Sequence, residues 1–159
     1  MEQRKCRQPM IAVGVVVLLS FIDQVSKYYA RLWLEGSDFE VTSFLKCTLL
    51  YNKGISWSLL TPTTANGEYA LMFGIVVLLM IYILHLANEM RRGRTVFPEL
   101  LIIGGATSNL IDRFMHGGVV DFIMVYYQQY QFPVFNFADV FIFIGFLLFV
   151  RKGFCNESC

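Results

Sequence analysis

The sequence predicts an all-α membrane protein with four transmembrane helices, both termini in the cytoplasm and a small extracytoplasmic β-containing segment at the outer membrane surface. Its 159 residues are 56% hydrophobic and only 16% charged, whereas a water-soluble domain usually carries about a quarter charged residues. The apolar residues gather into four segments that approach the roughly 20 residues a helix needs to cross a bilayer. We expect one integral membrane domain over residues 1–159, with spans at about 10–32, 69–88, 97–115 and 135–151.

The first span follows a basic N-terminus, a pattern that also fits a secretory signal peptide. Arg4, Lys5 and Arg7 precede the apolar run "MIAVGVVVLLSFI". No small-x-small cleavage site follows this run, and the helical pattern continues past Asp23 and Lys27. We therefore expect an uncleaved span.

The other three spans are each marked by an apolar run with clear ends. The second is "YALMFGIVVLLMIYILHL", Tyr69 to Leu86. The third begins near Pro98, a residue favoured in the first turn of a helix. The fourth is "FNFADVFIFIGFLLFV", which is followed by Arg151 and Lys152.

Basic residues predict the orientation, because they concentrate in cytoplasmic segments. With the N-terminus inside, the inner segments hold eight basic residues and the outer segments four. The inner group lies close to the span ends and comprises Arg4, Lys5, Arg7, Arg91, Arg92, Arg94, Arg151 and Lys152. The outer group is scattered and comprises Arg31, Lys46, Lys53 and Arg113. The net charge of +1 and the lack of a large basic cluster give no indication of nucleic-acid binding.

Two outer segments carry strand-like patterns. "FEVTSFLKCTLLYN" and the run from Val119 to Tyr127 are rich in β-branched and aromatic residues, which favours short strands. Thr61 to Gly67, "TPTTANG", has the composition of a turn before the second span.

Polar residues in this topology gather at one depth, the outer membrane–water boundary. Residues three or four apart share a helix face, which pairs Asp23 with Lys27, and Asn109 with Arg113. Asn136 and Asp139 are likewise three apart at the outer end of span four, and charges within a membrane usually face a bundle interior or a wet cavity. The full set is Asp23, Lys27, Asn109, Arg113, Asp121, Asn136 and Asp139. The alternative to a functional site is a set of interfacial ion pairs, Asp23 with Lys27 and Asp121 with Arg113.

Carboxylates are the chemistry that this face offers. Two close carboxylates can share one proton, so that the ionised group activates a water and the protonated group polarises a scissile carbonyl. Such an aspartic dyad hydrolyses a peptide bond with no metal and no cofactor. From spacing alone, the candidates are Asp23, Asp112, Asp121 and Asp139.

Other chemistries find little support in the sequence. His85 and His116 are expected to be structural or solvated, and no His/Cys cluster suits zinc. Three of the four cysteines, Cys6, Cys155 and Cys159, are placed in the cytoplasm and only Cys47 outside, so no disulfide framework is expected.

Five motifs in order on this four-span frame resemble those of lipoprotein signal peptidase, the bacterial signal peptidase II family. They are "DQVSK" at Asp23–Lys27, "NKGISWS" at Asn52–Ser58, "GGATSNLIDR" at Gly104–Arg113, "GGVVDF" at Gly117–Phe122 and "FNFAD" at Phe135–Asp139. The small residues of Gly104–Ser108 also let neighbouring helices approach closely.

The resemblance implies that Asp121 and Asp139 are the catalytic pair and that Asp112 is structural. The supporting or substrate-binding positions that it implies are Asn109, Arg113, Asn136, Asp23, Lys27, Asn52 and Gly54. It implies a bacterial inner-membrane enzyme with its active site at the outer face. The implied partners are membrane lipid and a diacylated prolipoprotein substrate, which is cleaved just before its lipidated cysteine. Departures from the family pattern are Ser108 for Gly, Ser56 for Ala and Trp57 for Phe. We expect a monomer, since one four-span bundle can hold the whole site.

Three rival interpretations stay open from the residues. A proton-coupled carrier would show polar groups at several depths and often internal repeats, and neither is evident here. A catalytically silent scaffold would not need the paired aspartates. A different intramembrane aspartic protease would carry Asp in a Gly-x-Gly-Asp stretch, which the sequence lacks.

Overall fold

Four helices and a four-stranded antiparallel sheet make up the structure, a computed structural model that describes residues 2–54 and 61–157. Ser56 and Trp57, two of the departures from the family pattern, lie outside the described residues. In chain order the elements are α1 Glu2–Leu34, β1 Phe39–Thr42, β2 Leu45–Asn52, α2 Ala65–Arg91, α3 Phe97–His116, β3 Val119–Tyr127, β4 Tyr130–Gln131 and α4 Phe137–Glu157.

The helix ends follow from local sequence signals. The hydroxyl of Thr64 caps α2 by accepting a hydrogen bond of 3.2 Å from the backbone N–H of Gly67. Pro98 lies in the first turn of α3, as predicted. Gly117 ends α3 with a φ of 69°, and its N–H bonds to the carbonyl of Arg113 at 3.1 Å.

Helix α3 packs against each of the other three helices, and its glycines permit the close contacts. A Cβ on Gly104 would lie 2.9 Å from Cβ of Leu19 in α1. A Cβ on Gly105 would collide with the backbone carbonyl of Ala138 in α4. The prediction that small residues here bring neighbouring helices together is therefore confirmed, and the helix ends that carry polar groups are held close to one another.

The sheet has the strand order β1-β2-β3-β4. Its strands cover the two segments that composition predicted, and β3 has the predicted bounds, Val119 to Tyr127. In the pairing of β2 with β3, Leu50 lies opposite Asp121 and Asn52 lies opposite Val119. This register places Asn52 close to the aspartate.

The protein exposes large apolar side chains and buries a set of charged and polar ones beside its small hydrophobic core, a distribution unlike that of a soluble domain. Large side chains such as Met10, Phe73 and Leu84 are more than 60% exposed. Charged and polar side chains are instead buried: Asp23, Lys27, Glu89, Glu99, Ser108, Asp112, Asp121 and Asn136. Two helices, α1 from Gln8 and α2, are long and apolar enough to cross a membrane by length and composition.

Candidate active site

Asp121 is held in the first half of β3, at a position that is 1% exposed. Its two carboxylate oxygens accept hydrogen bonds from two amides. Asn136 Nδ2 donates to Oδ1 at 2.7 Å, and Asn52 Nδ2 donates to Oδ2 at 3.1 Å. The Asn52 side chain is fixed in turn, because its Oδ1 accepts from the Gly54 N–H at 3.0 Å.

Asp139 is positioned by the first turn of α4. Asn136 immediately precedes the helix, and its Oδ1 accepts from the N–H of Asp139 at 2.9 Å. Oδ2 of Asp139 accepts from the N–H of Asn136 at 3.2 Å, so the two residues form a reciprocal cap of the capping-box type. Asn109 Nδ2 donates to the other oxygen, Oδ1, at 2.9 Å. The Asp139 carboxylate is thereby held from both sides.

Asn136 connects the two aspartates. Its Nδ2 donates to Asp121 while its backbone N–H and Oδ1 bond to Asp139. Burial raises the pKa of Asp121 to about 7, and the negative charge of Asp139 adds to the shift; the amides of Asn52 and Asn136 oppose it. A carboxyl whose pKa is raised beside a second carboxylate is the arrangement expected of an aspartic dyad that shares one proton.

A buried cation lies beneath the pair. The ammonium of Lys27, a residue that is 2% exposed, is 2.6 Å from Oδ2 of Asp23 and 2.7 Å from Oδ2 of Asp112. It also donates to Oδ1 of Asn109 at 2.8 Å. Lys27 thus pairs with two carboxylates at once and orients the amide that holds Asp139.

Asp23 fixes the beginning of α4. Its Oδ1 accepts from the N–H of Ala138 at 2.8 Å, and its Oδ2 accepts from Oγ of Ser108 at 2.7 Å. A carboxylate at a helix N-terminus satisfies free backbone N–H groups and is favoured by the helix dipole. Asp23 therefore sets the position of the helix turn that carries Asp139.

Asp112 and Arg113 act on the segments around the pair. Oδ2 of Asp112 accepts from the N–H of Val120 at 3.0 Å, which anchors β3 one residue before Asp121. Arg113 donates to the carbonyls of Gly54 at 2.5 Å and Lys53 at 3.4 Å. Of the two ion pairs in the alternative interpretation, Asp23 with Lys27 is formed. Within the described part of the chain, Arg113 forms no direct salt bridge with Asp121.

Sequence reasoning missed Gln24 and the role of Ser108. Gln24 Nε2 lies 2.7 Å from Oδ1 of Asp112 and 3.1 Å from Oγ of Ser108. The polar residues of α1 that face the site are Ser20, Asp23, Gln24 and Lys27. Their three- and four-residue spacing is the signal that could have identified Gln24.

His116, which was expected to be structural or solvated, forms a hydrogen bond of 2.8 Å with the guanidinium of Arg31.

Comparisons with known proteins agree with this geometry. Residues 15–155 match the family described as Signal peptidase (SPase) II. The chain belongs to the signal peptidase II family. Members of this family are membrane aspartic peptidases. The resemblance indicated by the five motifs is therefore confirmed.

Relatives and solved structures cover most of the chain. A lipoprotein signal peptidase of Cellvibrio japonicus is 40% identical over 93% of this chain and 86% of its own length. That of Rickettsia conorii is 38% identical over 91% of this chain and 73% of its own. A bacterial membrane enzyme solved by the in meso method is 29% identical with a TM-score of 0.73, over 93% of this chain and 90% of that one. The signal peptidase II fold therefore extends over nearly the whole chain.

Proposed function

We propose that this chain removes the signal peptide from diacylglyceryl-modified prolipoproteins, cutting just before the lipidated cysteine, with Asp121 and Asp139 as its catalytic carboxylates. The observation that carries the proposal is the bridge that Asn136 makes between these two aspartates. Relatives named lipoprotein signal peptidase supply the substrate class. The chain acts as a monomer, in one integral membrane domain.

The pair works with one shared proton. The ionised carboxylate takes a proton from a water molecule, whose oxygen attacks the carbonyl carbon of the scissile bond. The protonated carboxyl donates its proton to the carbonyl oxygen, which gives a neutral gem-diol. Proton transfer to the leaving nitrogen and breakage of the C–N bond then yield the two products. Because the pKa of Asp121 is about 7, this carboxyl holds a proton in a large fraction of molecules at neutral pH.

The supporting residues hold this geometry rather than reacting. Asn109 and Asn136 orient the two carboxylates through their amides. Lys27 and Asp23 fix Asn109 and the start of α4. Arg113 holds the chain at Gly54, next to Asn52. Preorganised polar groups of this kind lower the barrier because they do not have to reorient during the reaction.

The substrate is recognised at the membrane surface. Phe114 and Met115, at the end of α3, are 64% and 67% exposed, and such apolar flanks accept acyl chains. The diacylglyceryl group then anchors the scissile bond at the depth of the aspartates. Both termini lie in the bacterial cytoplasm and the site at the outer face of the inner membrane, as the basic residues near the span ends support.

Orientation is tested by labelling single cysteines in a cysteine-free background. A cysteine at Ser37, between α1 and β1, should react with a membrane-impermeant maleimide in intact cells. A cysteine at Arg92, just after α2, should react only after the membrane is permeabilised. The reverse pattern would contradict the proposed orientation.

The substrate is tested with the purified protein in detergent. It is incubated with a lipidated prolipoprotein and with the same prolipoprotein lacking the diacylglyceryl group. Cleavage of the lipidated form alone supports the proposal. If neither form is cut where another family member is active, the proposed activity is wrong; if both are cut equally, the lipid is not what the site recognises.

A further inference from the structure

A second polar cluster lies at the opposite end of the bundle from the aspartates. It contains His85 and Glu89 near the end of α2 and Glu99 in the first turn of α3. Glu99 precedes Asn109 by ten residues of α3, or about 15 Å along the helix at 1.5 Å per residue. The cluster is therefore separate from the site that cuts the substrate.

Its three residues are arranged as metal ligands. His85 and Glu89 are four apart and lie on one face of α2, the spacing by which a helix presents two ligands to one ion. One ligand atom from each of His85, Glu89 and Glu99 lies within 4.8 Å of the others. Ligands about 2.1 Å from a tetrahedral zinc ion lie roughly 3.4 Å apart. Binding would therefore draw the ligand atoms together, and the 39%-exposed ring of His85 would shift along its aromatic contacts with Tyr82 and Phe149.

Three buried polar atoms here have no hydrogen-bond partner in the described part of the chain. They are Nε2 of His85, Oε2 of Glu99 and the hydroxyl of Tyr82. The Glu99 side chain is completely buried. Buried polar atoms without a hydrogen bond are rare and costly. A carboxylate oxygen and an imidazole nitrogen that both lack one can serve as ligands to a cation.

The ion pairs of the cluster do not account for these atoms. Lys152 lies 2.6 Å from Oε1 of Glu99 and 3.4 Å from Oε2 of Glu89, and Arg94 lies 3.0 Å from Oε1 of Glu89. Together they balance the two carboxylate charges but leave Oε2 of Glu99 without a hydrogen bond, and Nε2 of His85 has only a long contact of 4.0 Å with Oε1 of Glu99. The Lys152 ammonium also occupies space that a metal ion at Glu89 would share.

We propose that His85, Glu89 and Glu99 bind one divalent first-row transition ion of the zinc class, which joins the end of α2 to the start of α3. Imidazole nitrogen with carboxylate oxygen is a donor set that suits Zn²⁺ and Co²⁺ rather than Mg²⁺ or Ca²⁺. The site is structural and takes no part in peptide hydrolysis. Lys152 competes with the ion for both carboxylates, Glu99 at 2.6 Å and Glu89 at 3.4 Å.

The test is a titration of the full-length protein in detergent with Co²⁺, followed by its visible absorption. One equivalent should bind with the spectrum of nitrogen and oxygen ligands, lacking the near-ultraviolet band of a thiolate ligand. His85→Asn and Glu99→Gln should each weaken binding at least about 10-fold. Lys152→Met should tighten it, since the competing cation is removed. His116→Asn, which changes the other histidine, should leave binding unchanged.

Three results would overturn the proposal. The first is the absence of stoichiometric Co²⁺ binding by the wild type. The second is binding that His85→Asn and Glu99→Gln leave intact. The third is binding that Lys152→Met weakens, because Lys152 would then not compete with the ion. A single symmetric gel-filtration peak and the circular-dichroism spectrum of the wild type show that each variant is folded. Neither measurement depends on prolipoprotein cleavage, so this test and that of the proposed function fail separately.

Discussion

Asn136 donates its side-chain amide to Oδ1 of Asp121 at 2.7 Å from a position immediately before the helix that carries Asp139. One residue therefore sets the separation and orientation of two carboxylates that come from a strand and a helix. Its Nδ2 also lies 3.1 Å from Oδ1 of Asn109, which holds Asp139 from the opposite side. Positioning by a shared amide leads to a first prediction.

Asn136→Ala should lower kcat by about 10²-fold, because displacing a reacting group by about 1 Å can cost that much. The KM should change little, since Asn136 holds the carboxylates rather than the lipid. Asn88→Ala, at an exposed position of α2, is the matched control and should retain full activity. An Asn136→Ala enzyme that is correctly folded and fully active would show that the bridge is not needed.

The pH profile should report the shared proton. Burial raises the pKa of Asp121 to about 7, so kcat/KM should fall as the pH rises above about 7 and the pair loses its proton. The Asn52 amide favours the ionised form and lowers this pKa. Asn52→Ala should therefore move the alkaline limb to higher pH, even where the maximal rate is reduced. A limb that stays in place or moves to lower pH would contradict this account.

Removing the buried cation should destabilise the fold. Lys27→Met leaves Asp23 and Asp112 buried without their partner, which typically costs about 3–5 kcal/mol. Lys53→Met removes the exposed pair with Glu68, at 3.7 Å, and should change stability by no more than about 1 kcal/mol. Thermal unfolding in one detergent compares the two variants. Similar unfolding temperatures would show that the Lys27 network contributes no more than a surface pair.

Close packing at Gly105 should be essential to the position of Asp139. Gly105→Ala places a methyl group against the Ala138 carbonyl, and overpacking of this kind costs about 1–3 kcal/mol. We expect lower stability and, since Ala138 precedes Asp139, lower activity. Gly74→Ala in α2 has open space around the added Cβ and should be harmless. Equal behaviour of the two variants in unfolding and cleavage assays would contradict the packing argument.

Much of this architecture could be predicted because it follows local rules. Apolar runs predicted the four helices, and β-branched composition predicted the strand Val119–Tyr127. Helical spacing placed Asn109 and Arg113 on one face, but could not show that Asn109 bonds to Asp139 while Arg113 turns to the carbonyl of Gly54. Those partners come from segments distant in sequence, and only tertiary packing brings them together.

The role of Asp112 shows the same limit. Its helix position placed it on a different face from Arg113, and the resemblance implied a structural role. Nothing local indicated that its carboxylate would accept from the N–H of Val120 or from Gln24. The contact with Val120 arises because β3 packs against α3, and the contact with Gln24 arises because α1 packs closely against α3.

The central claim, that Asp121 and Asp139 form the catalytic pair, is tested most directly by single-turnover cleavage of a lipidated prolipoprotein. Asp121→Asn and Asp139→Asn are compared with Asp38→Asn, an exposed aspartate with an ion pair to Lys46. We expect each dyad variant to bind substrate but to cut none measurably, while Asp38→Asn cuts at the wild-type rate. Cleavage that persists in either dyad variant would contradict it and would move the reacting carboxylate to Asp23 or Asp112.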